Sequence, residues 1–289
     1  MNYLNRIQKG IDFIEANLDT AIELKQVAQI ACISQWHFQR IFKALTNETL
    51  KTYIRSRRLA NAMDNLLNSQ QRIIDIALEA GFESQQSFTR AFKKQFAMTP
   101  NDCRKAVNKN SFMKKIQFNQ DYLKHINLNL ELEPKIYTHP SMQLVGMKTL
   151  FYSSDSEKNN IADKLPALWH QFLPRLIEIP HRITNICYGI IQQTPEKSDL
   201  LEYYAVAAVE SVKNFPKDMV TLTLPKSLYA KFTHKGEVRT LDNTVNYIYS
   251  SWLLKSKYQH NYQADIEFYG EKYHPTAKTS EMHYAIPIG

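Results

Sequence analysis

The amino-acid sequence predicts two units of different class within 289 residues, an all-α first third and an α+β remainder. Three observations predict them. The segment SQWHFQRIFKALT (34–46) recurs fifty residues on as SQQSFTRAFKKQF (84–96), so that Ser34, Gln35, Phe38, Arg40, Phe42 and Lys43 return as Ser84, Gln85, Phe88, Arg90, Phe92 and Lys93. The net charge of +8 is uneven: residues 1–110 hold 16 Lys+Arg against 10 Asp+Glu, whereas residues 111–289 hold 20 against 18. After about Asn110 the helical periodicity gives way to interleaved strands and helices.

In the first unit, Leu4, Ile7, Ile11 and Ile14 recur at helical spacing and make an amphipathic helix ending near Asn17. Ile22, Leu24, Val27, Ala28 and Ala31 make a short second helix, and Cys32-Ile33 is a tight break. Ser34 then caps a third helix that turns Phe38, Ile41, Phe42 and Leu45 inward. A longer helix buries Leu50, Tyr53, Ile54, Leu59, Met63, Leu66 and Leu67, leaving Arg55, Arg57 and Arg58 outside. The pattern then repeats: Ile73, Ile74, Ala77 and Leu78 form a short helix, Gly81-Phe82 a turn, and Ser84 caps a helix with Phe88, Ala91, Phe92 and Phe96 on its apolar side. Thr99-Pro100 stops that helix.

A short helix, a tight turn and a second helix make a helix-turn-helix, whose second helix can lie in a DNA major groove. The phenylalanines at i, i+4 spacing are core. The first turns of the two second helices instead carry outward polar residues, Gln35, Trp36, Gln39 and Arg40 in one and Gln85, Gln86, Ser87, Thr89 and Arg90 in the other. Gln and Arg can pair bidentately with adenine and guanine edges, and Thr or Trp can touch a thymine methyl. Trp36 stands off the apolar stripe, which marks it for a ligand. Lys43, Lys93 and Lys94, with Arg55 and Arg58, are candidates for phosphate contact. The basic excess of this third suits a polyanion.

Residues 5–106 resemble the DNA-binding domain of the AraC/XylS transcription regulators, in the MarA/SoxS/Rob branch. Residues 81–104 (GFESQQSFTRAFKKQFAMTPNDCR) resemble the second-motif signature over its full length, and residues 34–59 resemble the first. The resemblance implies two helix-turn-helix units joined by the helix at 50–68, entering successive major-groove segments of double-stranded promoter DNA. It gives the base-reading places to Trp36, Gln39, Arg40, Gln85, Gln86 and Arg90. Asn47 and Ala97 depart from the pattern, standing where glycine follows each reading helix; Asn tolerates a left-handed cap, while Ala there costs about 1 kcal/mol.

In the remainder, strands at 143–151, 186–192 and 203–209 enclose a helix at 161–177 with Leu165, Leu168, Trp169, Phe172 and Leu176 on one face. A second pass gives strands at 227–233, 265–269 and 283–288 and a helix at 241–254 with Leu241, Val245, Ile248, Tyr249 and Trp252 on one face. The order strand, helix, strand, strand thus occurs twice, an α+β tandem repeat with a groove between its halves. Glu267 sits mid-strand and shares a face with Asp265 and Tyr269. On a solvent face it is ordinary; facing an aromatic groove, its carboxylate would favour a cationic or donor-bearing ligand.

The runs at 226–238, 242–253, 265–270 and 284–288 are similar to the GyrI-like effector-binding domain, and the resemblance spans residues 131–289. It implies a central aromatic pocket with the acid at Glu267 facing ligand, and the order of parts is the Rob-like one. The expected domains are 1–108, a connector at 109–130, and 131–289. The expected ligand-binding residues are Glu267, Trp169, Tyr188, Tyr204, Trp252 and Tyr269.

These readings converge on a sequence-specific DNA-binding transcription regulator, an activator, controlled by a small amphipathic or aromatic effector. RNA polymerase is the expected further partner, and the protein is expected to be a monomer or weak dimer. Two alternatives stay open for the C-terminal unit: a small-molecule hydrolase, which needs a nucleophile or activated water near Glu267, and a protein-docking module. Three cysteines without C-x-x-C spacing, nine scattered histidines and no Gly-rich phosphate loop suggest neither a disulfide framework, a catalytic residue, a metal site nor a cofactor. The apolar runs are far shorter than the ~20 residues of a membrane span, and the N-terminus does not read as a secretory signal, so a cytoplasmic location is expected.

Overall fold

The computed structural model describes residues 3–105, 133–196 and 198–289. The connector read at 109–130 lies outside the described residues. The first unit runs α1 (Tyr3–Ala16), α2 (Leu24–Ile30), α3 (Gln35–Thr46), α4 (Leu50–Asn68), α5 (Ile73–Glu79), α6 (Gln85–Phe96) and α7 (Pro100–Lys105). Pro100 thus opens a short helix as well as ending the previous one, since a first-turn residue has no N–H to lose.

The two helix-turn-helix copies agree at the level of single bonds. Ser34 and Ser84 each accept a hydrogen bond from the backbone N–H three residues on, the N-cap predicted from the serines. In the turns, Cys32 and Gly81 both take left-handed φ, 54° and 79°. Ile33 N–H then donates to Ala28 O, and Phe82 N–H to Ala77 O, each at 3.0 Å, closing the helix end before them. Asn47 (φ 60°) and Ala97 (φ 59°) both cap in the left-handed region despite lacking glycine.

Helix α4 spans two cores. Its N-terminal half packs Leu50, Tyr53 and Ile54 with Ile7, Ile11, Phe38 and Phe42, and its C-terminal half packs Leu59, Met63 and Leu66 with Ile76, Phe88 and Phe92. Gly10 allows the closest approach in the first core, because a Cβ there would lie 2.4 Å from Phe38 Cε2. The arginines of α4 part company. Arg57 makes a two-pronged pair with Glu15, at 2.9 and 2.8 Å. Arg58, a phosphate candidate by sequence, is instead a brace: it donates to Leu18 O and Thr20 O and lies against Gly81.

The second unit comprises β1 (Lys135–His139), β2 (Met142–Tyr152), α8 (Ile161–Phe172, continued by a 3-10 turn Leu173–Glu178), β3 (Arg182–Gln193), β4 (Leu200–Val209), β5 (Val220–Leu224) and β6 (Ser227–Lys235). Helix α9 (Leu241–Tyr247) follows, wound through a π turn Ile248–Trp252 into a last turn Leu253–Lys255, and then β7 (Asp265–Tyr269) and β8 (Glu281–Ile288). All eight strands form one antiparallel sheet in the order β1-β6-β8-β7-β3-β4-β2-β5. The repeat read from sequence is visible in this order, with β2-α8-β3-β4 on one side and β6-α9-β7-β8 on the other. The halves meet in a hydrogen-bonded seam between β3 and β7 rather than an open groove, and Gly189 faces Glu267 across it. Strands β1 and β5 extend the two edges and were not anticipated.

One sheet face, with Tyr203, Ala205, Phe232 and Tyr284, packs against α8 and α9, and its apolar cluster is continuous with the first core of the helical unit. The other face carries a separate cluster around Tyr188, Ile190, Tyr204, Val206 and Ile266.

Candidate functional site

The two candidate reading helices, α3 and α6, have opposite environments. On α6, Gln85, Gln86, Arg90, Lys93 and Lys94 are exposed and Thr89 is half-buried, on the side away from Phe88 and Phe92. Ser87 is engaged locally, its hydroxyl donating to Ser84 O at 2.8 Å within the cap. This face is basic, polar and open.

On α3 the corresponding residues are not outward, as their polarity suggests. Trp36, His37, Gln39 and Arg40 are only 4%, 2%, 3% and 6% exposed. The apolar stripe of α3 faces the helical unit, and the second unit covers the opposite side. Arg40 Nη1 donates to Asp155 Oδ1 and Oδ2 at 3.2 and 3.3 Å and to Ser154 Oγ at 3.3 Å, with its guanidinium 5.6 Å from the Tyr249 ring centre. Burial works against the Arg40 charge, but Asp155 together with Tyr284, Asp242 and Tyr249 raises the Arg40 pKa. Lys43 donates to Ser154 O, and Gln193 donates to Ser34 Oγ at 2.7 Å. From α4, Thr52 donates to Glu157 at 3.0 Å and Arg55 lies 3.4 Å from the same carboxylate.

A buried histidine pair completes this contact. His260 Nδ1 accepts from Tyr262 N–H at 2.9 Å, so Nε2 carries the ring proton and donates to Asp265 Oδ1 at 3.0 Å. His37 Nε2 lies 3.1 Å from that same nitrogen, and His37 Nδ1 lies 2.7 Å from Ser34 Oγ. Burial, with His260 and Arg40 nearby, pushes the His37 pKa well below the usual histidine range, in keeping with a neutral ring. Asp265 Oδ2 accepts from Tyr249 and Tyr284 at 2.8 and 2.7 Å, so this buried carboxylate has three donors.

Two residues along β7, on the same face, Glu267 is 4% exposed. Its Oε2 accepts from Tyr203 at 2.6 Å and from Tyr269 at 2.7 Å, and Trp169 Nε1 donates onward to the Tyr203 oxygen at 3.0 Å. Burial raises the Glu267 pKa, opposed by the two phenol hydrogen bonds. Trp169, Tyr269 and Tyr273 are half-buried and stack edge-on, with centroids 4.9 and 4.6 Å apart, around the carboxylate. Such an arrangement suits a positive or donor-bearing group carried on a flat apolar body.

Of the predicted ligand residues, Glu267, Trp169 and Tyr269 are brought together here. Tyr188 and Tyr204 are not: they lie on the opposite sheet face, Tyr188 against Phe268 and Tyr204 donating to Glu202 at 2.7 Å. Trp252 is on the helix-covered side but packs against Phe232 and Tyr258. The reason is strand alternation, since Tyr203 and Tyr204 are neighbours that must point to opposite faces, and the register of β4 decides which one meets Glu267. Sequence reasoning placed Asp265 on the face of Glu267 without giving it a role, and assigned none to Tyr203, Gly189 or His260. Gly189 did carry a signal, as a glycine inside an apolar strand marks a close approach.

Comparison with known proteins identifies both units. A helix-turn-helix domain model matches residues 27–106, and a GyrI-like small molecule binding domain model matches residues 132–288. The chain belongs to the GyrI-like small molecule binding domain family and places an AraC-type helix-turn-helix region before that domain. It is a DNA-binding transcription regulator of the AraC family, in the Rob domain order. It is similar to the transcriptional regulator Rob of Salmonella typhimurium, 29% identical over 294 residues that cover 96% of this chain and 93% of that one. It is likewise 29% identical over 280 residues to the right origin-binding protein of Escherichia coli K12, covering 93% of this chain and 91% of its relative. The regulatory protein SoxS of Escherichia coli K12 matches the helical unit alone, 39% identical over 104 residues that are 36% of this chain and 97% of SoxS.

Proposed function

We propose that the chain is an effector-controlled transcription activator that reads promoter DNA with α3 and α6 and binds a small amphipathic or aromatic molecule at Glu267. The observation that carries the reading is α6, a capped helix presenting Gln85, Gln86 and Arg90 to solvent with Lys93 and Lys94 one turn on. Gln86 and Arg90 sit one turn apart on the open face, so both can reach base edges while the lysines meet phosphate. On α3, Gln35, Trp36, Gln39, Arg40 and Lys43 take the equivalent places. Glu267 in its ring of Trp169, Tyr203 and Tyr269 supports an effector with a cationic or hydrogen-donating head. As an activator it acts on RNA polymerase in the cytoplasm. Among the described residues no helix is long and apolar enough to cross a membrane.

The test is the affinity of the full chain for a duplex recovered by selection from a random-sequence pool. Arg40→Ala and Arg90→Ala should each weaken binding by about 1–3 kcal/mol if each loses a bidentate base contact. Unchanged binding of specific and random DNA by both variants overturns the assignment. For the effector, Glu267→Gln should abolish calorimetric binding of an aromatic amine that the parent binds.

A further inference from the structure

The contact between α3 and the second unit occupies the surface on which α3 would meet DNA. We propose that the face formed by residues 153–157, the π turn of α9 and His260 is an intramolecular competitor of duplex DNA for α3. The arrangement seen here is then a DNA-excluding state, and α3 reads bases only after this face has separated from it. The proposal rests on the DNA-reading assignment above and adds the regulation of that surface.

The chemistry of the contact supports competition. Arg40, Lys43 and Arg55 meet Asp155, the Ser154 carbonyl and Glu157, an oxygen-rich surface resembling in charge and acceptor character what a groove and its phosphates offer. The fit is incomplete. Trp36 Nε1 and Arg40 Nε are buried without a hydrogen-bond partner among the described residues. Donors left unspent in this way make the docked state costlier than one in which they are paired or solvated, which keeps separation within reach. α6, by contrast, is uncovered, so the docked chain can engage one major-groove segment but not two.

The same face connects with the Glu267 site through β7. Asp265 holds Tyr249 and His260, both of which touch α3, and Glu267 follows two residues later on the same sheet face. A ligand that displaces the Tyr203 or Tyr269 hydroxyl from Glu267 acts on the strand that positions the docking face. Occupancy there can therefore shift the balance between docked and separated states to the extent that the ligand favours one of them.

The experiment uses the full chain and the selected duplex, comparing parent, Asp155→Ala, Arg90→Ala and the double variant by affinity and hydroxyl-radical footprint. With its carboxylate gone, Asp155→Ala leaves Arg40 without a counter-ion in the docked state. It should bind about tenfold or more tightly, as the competent fraction rises, and reach the same two-segment footprint at a correspondingly lower protein concentration. Identical affinity in Asp155→Ala overturns the proposal. If Arg90→Ala still weakens binding in that case, the DNA reading stands and competition alone has failed; if neither substitution matters, both fail. A measurement on the parent needs no variant to fold: at saturating duplex, amide hydrogen exchange at 153–157 and 260–262 should accelerate. Unchanged protection there with DNA bound also overturns the proposal.

Discussion

Replacing Gly189 by Ala puts one methyl group into the tightest point of the candidate effector site. The added Cβ would lie 2.2 Å from the Tyr203 hydroxyl, 2.3 Å from Glu267 Oε2 and 2.9 Å from Tyr203 Cζ, closer than real Cβ contacts come. Neither neighbour can yield cheaply. Tyr203 is fully buried with its ring edge-on to Phe151, its hydroxyl also receives the Trp169 indole, and Glu267 is held by two phenols. Loss of the hydrogen bond to a carboxylate costs about 1.5–3 kcal/mol, and overpacking adds roughly 1–3. Alanine recovers about 0.5–1 kcal/mol of the entropy that glycine loses in a strand. The net expectation is a loss of about 1.5–5.5 kcal/mol, seen as a fall of roughly 3–20 °C in the melting temperature. Tyr203→Phe removes the atom nearest the new methyl, so the double variant should lose less than the sum of the two single losses. A Gly189→Ala protein within ~0.5 kcal/mol of the parent, or strict additivity with Tyr203→Phe, would refute the reasoning.

Three further outcomes follow from single sites. Glu267 has its pKa raised by burial, so its charge opposes folding: the protonated form is favoured below the ordinary carboxylate range, and that advantage is lost as pH rises through the raised value. Glu267→Gln should therefore leave urea stability at pH 7 unchanged or higher, and a large loss would contradict it. His37 is neutral when docked against Ser34, Trp36, Arg40, Tyr249, His260 and Tyr262, with a lowered pKa. The docked state thus has its full stability above the ordinary histidine pKa of ~6.5 and loses it as pH falls from there toward the lowered value. Acrylamide quenching of Trp36, in a chain with Trp169 and Trp252 changed to Phe, should rise on acidification from pH 7 to about 5.5, and His37→Gln should flatten that rise. Ala97→Gly should stabilise the helical unit by about 1 kcal/mol, because only the alanine is strained at φ 59°; Asn47→Gly should gain a few tenths.

The helical unit was legible because its signals are local. Serine caps, left-handed turn positions and phenylalanines at i, i+4 each act within a turn or two of chain, and duplication wrote them twice. The tandem order of the second unit was legible for a similar reason, since strand and helix periods change along the chain. The candidate effector site was legible only in part. Glu267, Trp169 and Tyr269 follow from one strand and one helix, whereas the choice of Tyr203 over Tyr204 depends on how β4, β3 and β7 register across the sheet.

What the sequence by itself determined is which residues are cores, caps and turns, and that two similar helix-turn-helix segments exist. What only the tertiary structure decided is that Glu267 is buried against Tyr203 and Tyr269, and that α6 is open while α3 is covered. Periodicity records how a helix packs on its own unit, and α3 and α6 are nearly identical in that respect. The second unit reaches α3 through Asp155, Gln193 and His260, residues more than a hundred positions away, and no pattern within either segment encodes that meeting.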